Sequence, residues 1–200
     1  MPHMTDRVLA YLEKEHDAIL ERLKALLRFP SVSTDPAFAA GMAGAQNFLV
    51  DRLKAMGLDD VRLLDVGSGH PAVYGSWLKA PGAPTIIVYG HYDVQPADPL
   101  ELWVSPPFEP TIRNGRLYAR GASDVKGSTT IAIETIGAWL AVEGRCPVNV
   151  KVFIEGEEES GSPSLEKIVE RYGHLLKADA MVSADGGRAS STVPDRKSVV

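Results

Sequence analysis

The sequence predicts an α/β fold, a mixed and largely parallel sheet flanked by helices. Three observations carry this. Long stretches place apolar residues at a period near 3.6, as in Val8, Leu9, Leu12, Ile19, Leu20, Leu23, Leu26 and Leu27. Other stretches are short, continuous apolar runs such as Thr85–Tyr89 and Val148–Ile154, the pattern of strands buried on both faces. The two kinds alternate along the chain, which favours helices packed on a sheet over separate layers of one kind.

In chain order, a helix is expected from Thr5, a good capping residue, to about Arg28, where Phe29-Pro30 ends it. Residues 31–36 read as loop. A second helix covers about Gly41 to Met56, with Phe48, Leu49, Leu53 and Met56 on one face and Gly57 as its stop. The period then changes. Val61–Val66 and Ala72–Leu78 read as strands around a Gly67-Ser68-Gly69 turn, and Thr85–Tyr89 as a buried strand after the turn Pro81-Gly82-Ala83-Pro84. Residues 95–110 form a long, proline-rich loop. Asn114-Gly115, between Thr111-Ile112 and Arg116-Leu117-Tyr118, signals a hairpin. A helix over Lys126–Val142, a strand over Val148–Ile154, a short helix over Pro163–Tyr172 and a last buried strand over Ala180–Ala184 complete the reading. Lys197-Ser198-Val199-Val200 has the look of a strand cut short.

Bulk composition narrows the function. With 200 residues, 44% of them hydrophobic, the chain buries one real core. A net charge of -5 with no basic run argues against nucleic acid as a partner. No apolar stretch reaches the roughly 18 residues of a membrane span, and residues 1–7 carry no secretion signal pattern. A single cysteine, Cys146, excludes an intramolecular disulfide and fits a reducing compartment, so a cytoplasmic location is expected.

Chemistry concentrates at four places. His91 and Asp93 follow the strand at Thr85–Tyr89, and Asp124 lies in Ser123-Asp124-Val125-Lys126-Gly127 ahead of a helix. Glu157-Glu158-Glu159 follow the strand ending at Ile154, and Asp185 follows Ala180-Met181-Val182. Taken singly, each has an ordinary explanation: a loop histidine, an N-capping aspartate, a solvated acidic turn, a turn aspartate beside glycine. Together they stand where strands end or a helix begins, and in parallel sheets ligands bind beyond the carboxyl ends of strands. A histidine and several carboxylates without cysteine is the donor set of a hydrolytic metal centre. Side chains at i and i+2 of an extended segment share a face. Asp93 is thus placed to bind one imidazole nitrogen of His91 and leave the other for a metal. Three adjacent glutamates repel one another, a cation offsets that, and neighbours can divide ligation from proton transfer. Spacing alone does not say which does which. His3, His16, His70 and His174 read as structural or exposed, Cys146 as a buried thiol, and no Gly-x-Ser-x-Gly or phosphate-binding loop is present.

Three stretches combine these residues in a specific order: Tyr89-Gly90-His91-Tyr92-Asp93-Val94-Gln95-Pro96, then Leu117 to Gly127 with Arg120, Gly121, Ser123, Asp124 and Lys126, then Glu155-Gly156-Glu157-Glu158-Glu159-Ser160-Gly161-Ser162. With Trp103, Pro106, Pro107, Phe108 and Pro110 between them, they resemble the M20 family of metallopeptidases, nearest to its carnosinase-like dipeptidase branch. The resemblance runs from about residue 20 to 190.

It implies a zinc-peptidase-like catalytic domain with two divalent ions, zinc first, manganese or cobalt as alternatives. In that scheme His91 and Asp185 share one ion, Asp124 bridges both and Glu159 binds the other. Asp93 supports His91, and Glu158 is the general base for the attacking water. Glu158-Glu159 rather than Glu157-Glu158 takes these roles because the family's pair directly precedes Ser-Gly-Ser. The family also implies a cis Asp124-Val125 peptide. The expected activity is hydrolysis of a peptide bond in dipeptides or short peptides by a water activated by two metal ions. An N-acyl-amino-acid amidohydrolase and a non-catalytic metal-binding fragment are the alternatives. Residues 1–200 are expected to be the N-terminal portion of the catalytic domain, without the family's inserted dimerisation domain or the C-terminal segment bearing a last histidine ligand. The chain alone is then expected to be weakly active or inactive, and the parent protein a homodimer acting on small peptides.

Overall fold

The computed structural model describes residues 3–183 and 185–186. Five strands form one sheet in the order β1-β2-β6-β3-β7: β1 Arg62–Leu64, β2 Ala72–Trp77, β3 Thr85–His91, β6 Asn149–Glu155 and β7 Ala180–Ser183. β3 runs parallel to β6 on one side and to β7 on the other, while β2 is antiparallel to both β1 and β6. All strands but β2 therefore point the same way, and the sheet is mixed and largely parallel. The two short strands β4 (Thr111–Arg113) and β5 (Arg116–Tyr118) make a separate hairpin. Asn114 and Gly115 both take positive φ in its turn, 50° and 71°, the backbone that two-residue hairpins need.

Helices cover both faces. On one, α2 (His16–Leu27), α3 (Ala39–Ala55) and α4 (Lys126–Glu143) bring Leu26, Met42, Leu49, Leu53, Ile133 and Ile136 against Val73, Val88, Val150, Val152 and Ile154 of the sheet. On the other, α5 (Leu165–Leu176) lays Ile168 against Leu64, Tyr74, Ile87 and Phe153. Alternate residues of β2, β3 and β6 thus feed two cores, which is why these strands read as continuous apolar runs. At full burial each such Leu, Ile or Val contributes roughly 1.5–3 kcal/mol.

The first expected helix is two. α1 (Met4–Lys14) ends at Glu15, whose ψ of 5° interrupts the helical run before α2 begins. Each half is pinned separately to α4, α1 through Arg7 with Glu143 and α2 through Arg22 with Glu134. The apolar period continues across the joint, so the joint leaves no trace in the pattern. The N-cap of α1 is His3, not Thr5: the carboxylate of Asp6 accepts from the His3 backbone N–H at 2.9 Å.

A second difference concerns β7. It was expected to be buried, yet all four of its residues are exposed, Met181 at 65% and Val182 at 49%. The reason is position: β7 is the terminal strand of the sheet, paired only with β3 among the described residues. The expected strand at 197–200 and residue Ala184 lie outside the described residues. The long loop after Gln95 contains a 3-10 turn at Leu100–Leu102 and is tied down by hydrogen bonds that include Trp103 Nε1 to the Ala97 carbonyl at 2.8 Å, Arg120 to the Pro96 carbonyl at 3.0 Å and the Arg120 backbone N–H to the Pro107 carbonyl at 2.7 Å. No helix among the described residues is long and apolar enough to cross a membrane.

Candidate metal centre

The centre is built at the carboxyl ends of β3 and β6, where the parallel pairing sets His91 beside Glu155. β3 reaches this point with Gly90 pressed on α4. A Cβ there would lie 2.3 Å from Thr129 Oγ1, so only glycine lets strand and helix approach this closely. The close approach brings the start of α4, and Asp124 just before it, next to His91.

His91 is fully buried. Its Nδ1 lies 3.0 Å from the backbone carbonyl of Asp93 and 3.4 Å from the Asp93 carboxylate. The expected partner residue is therefore in place, but the shorter contact is to its carbonyl. The other ring nitrogen, Nε2, has no hydrogen-bond partner among the described residues. It faces three carboxylates from three different elements: Asp124 Oδ1 at 3.3 Å, Asp185 Oδ2 at 3.7 Å and Glu158 Oε2 at 3.8 Å. Their side chains remain 67%, 34% and 37% exposed respectively, so the cluster is closed behind His91 and open in front.

Two sets of donor atoms lie close enough to hold an ion. One consists of His91, Asp124 and Glu159, the other of His91, Glu158 and Asp185, with the atoms of each set within 4.8 Å of one another. All the residues expected as ligands thus converge, and Glu159 and Asp185 fall in different sets; but Asp124, expected to bridge, belongs to the Glu159 set alone, and Glu158, expected as the base, stands among the donors of the Asp185 set. A buried, unpartnered imidazole nitrogen aimed into converging carboxylates is a donor arrangement that a divalent cation completes; without one it is an uncompensated cost.

Asp124 does not cap α4, as its position before a helix also allowed. The N-cap is Val125 and no side chain bonds to the cap, which leaves the Asp124 carboxylate for the cluster. The Asp124-Val125 peptide is cis. Of the three glutamates, Glu157 turns away. It is buried and accepts from the backbone N–H groups of Ser164 at 3.0 Å and His70 at 3.2 Å, a structural role. Glu158 and Glu159 begin the 3-10 turn Glu158–Ser160 and point to the cluster.

Charge accounts for the titration behaviour. Burial opposes the imidazolium of His91, but the Asp93 carboxylate and carbonyl outweigh it and carry the pKa up to about 9. A cation on Nε2 competes with that proton. Glu158 is raised above the usual carboxylate range, by burial first and then by repulsion from Asp185, Glu159 and Asp93, with His91 opposing.

Three further residues hold this geometry that the sequence pattern assigned no role at the site, although Gln95 and Lys126 lie in the stretches that carry the resemblance. Ser33 Oγ donates to Asp93 Oδ2 at 2.7 Å. Gln95 Nε2 donates to both the carboxylate and the carbonyl of Glu159, each at 2.9 Å. Lys126, fully buried, donates to the carbonyls of Leu26 at 3.2 Å and Phe29 at 2.8 Å, and so anchors the start of α4 to the end of α2. Burial lowers its pKa to about 7 against the attraction of Asp93. Ser33 and Asp93 are 60 positions apart, Gln95 and Glu159 64; no local pattern announces such pairs.

Known proteins share this fold. The chain is 33% identical to a Cys-Gly metallodipeptidase of Candida albicans over 198 residues, which is 92% of this chain and 41% of that protein. The crystal structure of human carnosine dipeptidase 1 superposes with a TM-score of 0.84 at 31% identity, covering 92% of this chain and 42% of that one. An M20 family metallo-carboxypeptidase from Sulfolobus solfataricus gives 0.77 at 37% identity, over 85% and 37%. The chain thus spans less than half the length of each of these relatives. Residues 87–196 match the sequence profile of peptidase family M20/M25/M40, a segment that starts inside β3 and takes in every acidic residue of the cluster, and the chain belongs to that family.

Proposed function

We propose that this chain carries the metal centre of a metal-dependent dipeptidase, which hydrolyses the peptide bond of dipeptides or short peptides. The observation that carries the reading is the buried, unpartnered Nε2 of His91 facing Asp124, Glu158 and Asp185 at 3.3–3.8 Å. His91, Asp124, Glu159 and Asp185 would hold two divalent ions, zinc being the ion that suits a mixed imidazole and carboxylate set. Bound there, such ions supply Lewis acidity that makes water easier to deprotonate and a scissile carbonyl easier to attack.

The chain's own groups do the rest. Glu158 takes the proton of the attacking water and delivers it to the leaving amine; its raised pKa brings its proton affinity closer to neutral pH, where such a shuttle works best. Asp93 fixes the His91 ring with Nε2 toward the carboxylates. Gln95 holds the Glu159 carboxylate from outside. The single cysteine, buried and unpaired, fits a reducing, cytoplasmic setting.

Because the chain spans less than half the length of its relatives, turnover is assigned to the whole protein and metal binding to these residues. Metal content after dialysis against zinc, together with hydrolysis of a dipeptide series, tests both. Zinc retained by the wild type and by Glu158→Gln, with hydrolysis by the whole protein about 10²–10⁴-fold lower when it carries the substitution, is the expected result. Failure to retain zinc sinks the reading. The likeness to a metallo-carboxypeptidase favours a second reading, release of the last residue of longer peptides. Comparison of dipeptides with blocked tripeptides and an N-acetyl amino acid separates the alternatives.

A further inference from the structure

Asp93 is fully buried, and its carboxylate is shared among three elements. Oδ2 accepts from Ser33 Oγ at 2.7 Å and from the Glu159 backbone N–H at 3.1 Å. Oδ1 stands 3.4 Å from His91 Nδ1 and has no hydrogen-bond partner among the described residues. The same carboxylate therefore touches His91, common to both donor sets, and the backbone of Glu159, a member of one. Its rotation about the Cβ–Cγ bond decides whether Oδ1 faces the imidazole. The Glu159 N–H alone is a single, longer bond; the hydroxyl of Ser33 is the second point that fixes the plane.

Ser33 is itself held. Its carbonyl accepts from His70 Nε2 at 3.1 Å. The preceding residues are stitched to the strand exit: Ser31 Oγ donates to the Tyr92 carbonyl at 2.6 Å, the Val94 N–H donates to the Ser31 carbonyl at 2.9 Å, and Val32 bridges Val94 in parallel. The loop after α2 thus presents one hydroxyl, rigidly, to the carboxylate that stands beside the histidine ring.

We propose that Ser33 is a positioning residue of the metal centre, whose hydroxyl fixes the Asp93 carboxylate against His91 and thereby sets the affinity for a divalent ion. The inference rests on the metal-binding reading above. Groups that orient metal ligands from behind typically contribute 10–100-fold in affinity.

The test is zinc affinity of the full chain, measured by competition with a chelator, for wild type, Ser33→Ala, Asp93→Asn, the double variant and His91→Ala. Thermal midpoints of the metal-free proteins are measured alongside. Ser33→Ala is expected to bind zinc about 10–100-fold more weakly, with a metal-free midpoint close to wild type. In the Asp93→Asn background the same substitution is expected to add little, because its effect runs through that carboxylate. Affinity within about twofold of wild type overturns the proposal, and so does an undiminished loss in the Asp93→Asn background. Should Ser33→Ala lack a cooperative transition, Ser33→Gly removes the same donor and is judged by the same two readouts. If wild type binds zinc no better than His91→Ala, the metal centre itself is refuted, a result distinct from loss of the Ser33 effect alone.

Discussion

Two of the buried polar clusters among the described residues are built on opposite terms. Between α2, α3 and α4, Glu134 is 4% exposed and receives two forked arginines, Arg22 at 2.9–3.0 Å and Arg52 at 2.6–2.7 Å. Every oxygen of that carboxylate is answered by a donor of opposite charge. At the end of β3, His91 Nε2 and Asp93 Oδ1 have no hydrogen-bond partner among the described residues, and the groups nearest to Nε2 are carboxylates that repel one another. A fold that satisfies one buried carboxylate so completely can satisfy another; a cluster left unsatisfied is where a ligand from outside would be sought.

The comparison breaks most easily at Glu134. Glu134→Ala leaves two cations facing each other without their counter-ion, a change that ordinarily destabilises by about 3–5 kcal/mol. The arginine side chains keep 29% and 22% of their surface in water, so the lower end, about 3 kcal/mol, is expected in urea unfolding of the metal-free protein. A loss below about 1 kcal/mol would show that the helix-side cluster is no structural lock.

The metal-side cluster should respond to zinc instead. At a hundredfold excess over its dissociation constant, zinc should stabilise the wild type by about 2.7 kcal/mol. His91→Ala should abolish that gain and Glu134→Gln should keep it. Equal shifts in thermal midpoint for wild type and His91→Ala would place the binding elsewhere.

Acid sharpens the contrast. The pKa of Glu134 is depressed: burial raises it, but Arg52 and Arg22 together outweigh burial and lower it. A depressed folded-state pKa contributes stability that is present above the unfolded value, about 4.5, and is lost as pH falls through the folded one. Metal-free wild type should therefore lose stability steeply below pH ~4.5, and Glu134→Gln less steeply. Parallel curves for the two proteins would refute the assignment. The smallest effect is expected at Asp185. Being exposed and edge-placed, Asp185→Asn should change metal-free stability by less than about 0.5 kcal/mol while weakening zinc binding.

What was legible in the sequence follows the range of each interaction. β3, β6, the Asn114-Gly115 hairpin and α4 are written in local periodicity and turn chemistry, and they form with small shifts at their ends. His91, Asp124, Asp185 and the glutamate run 157–159 stand out in the sequence because each abuts the end of a strand or the start of a helix, where a parallel sheet gathers side chains; the choice of Glu158 and Glu159 over Glu157 rests on the family resemblance alone. The joint at Glu15 was not, because the apolar stripe runs through it. Exposure of β7 was not, because composition shows how apolar a strand is and not where in the sheet it pairs. The burial of Glu157 was hidden among three identical letters; only the N–H groups of Ser164 and His70 distinguish it. Ser33 and Gln95 act on partners far along the chain, and their residue types are common in loops.

The parallel pairing of β3 with β6 has a consequence in time. Register binds Thr85–His91 to Asn149–Glu155, so the strand that carries His91 has no neighbour on that side until the later stretch has been made. Translation at about 5–20 residues per second puts several seconds between the two. During that interval Ile86, Ile87 and Val88 are an apolar strand with unpaired edges, the kind of segment that chaperones bind and that aggregates if they do not. Long-range pairing of this sort also slows folding. The histidine and the acidic cluster therefore meet late, and a metal ion would find its binding site only after most of this chain has left the ribosome.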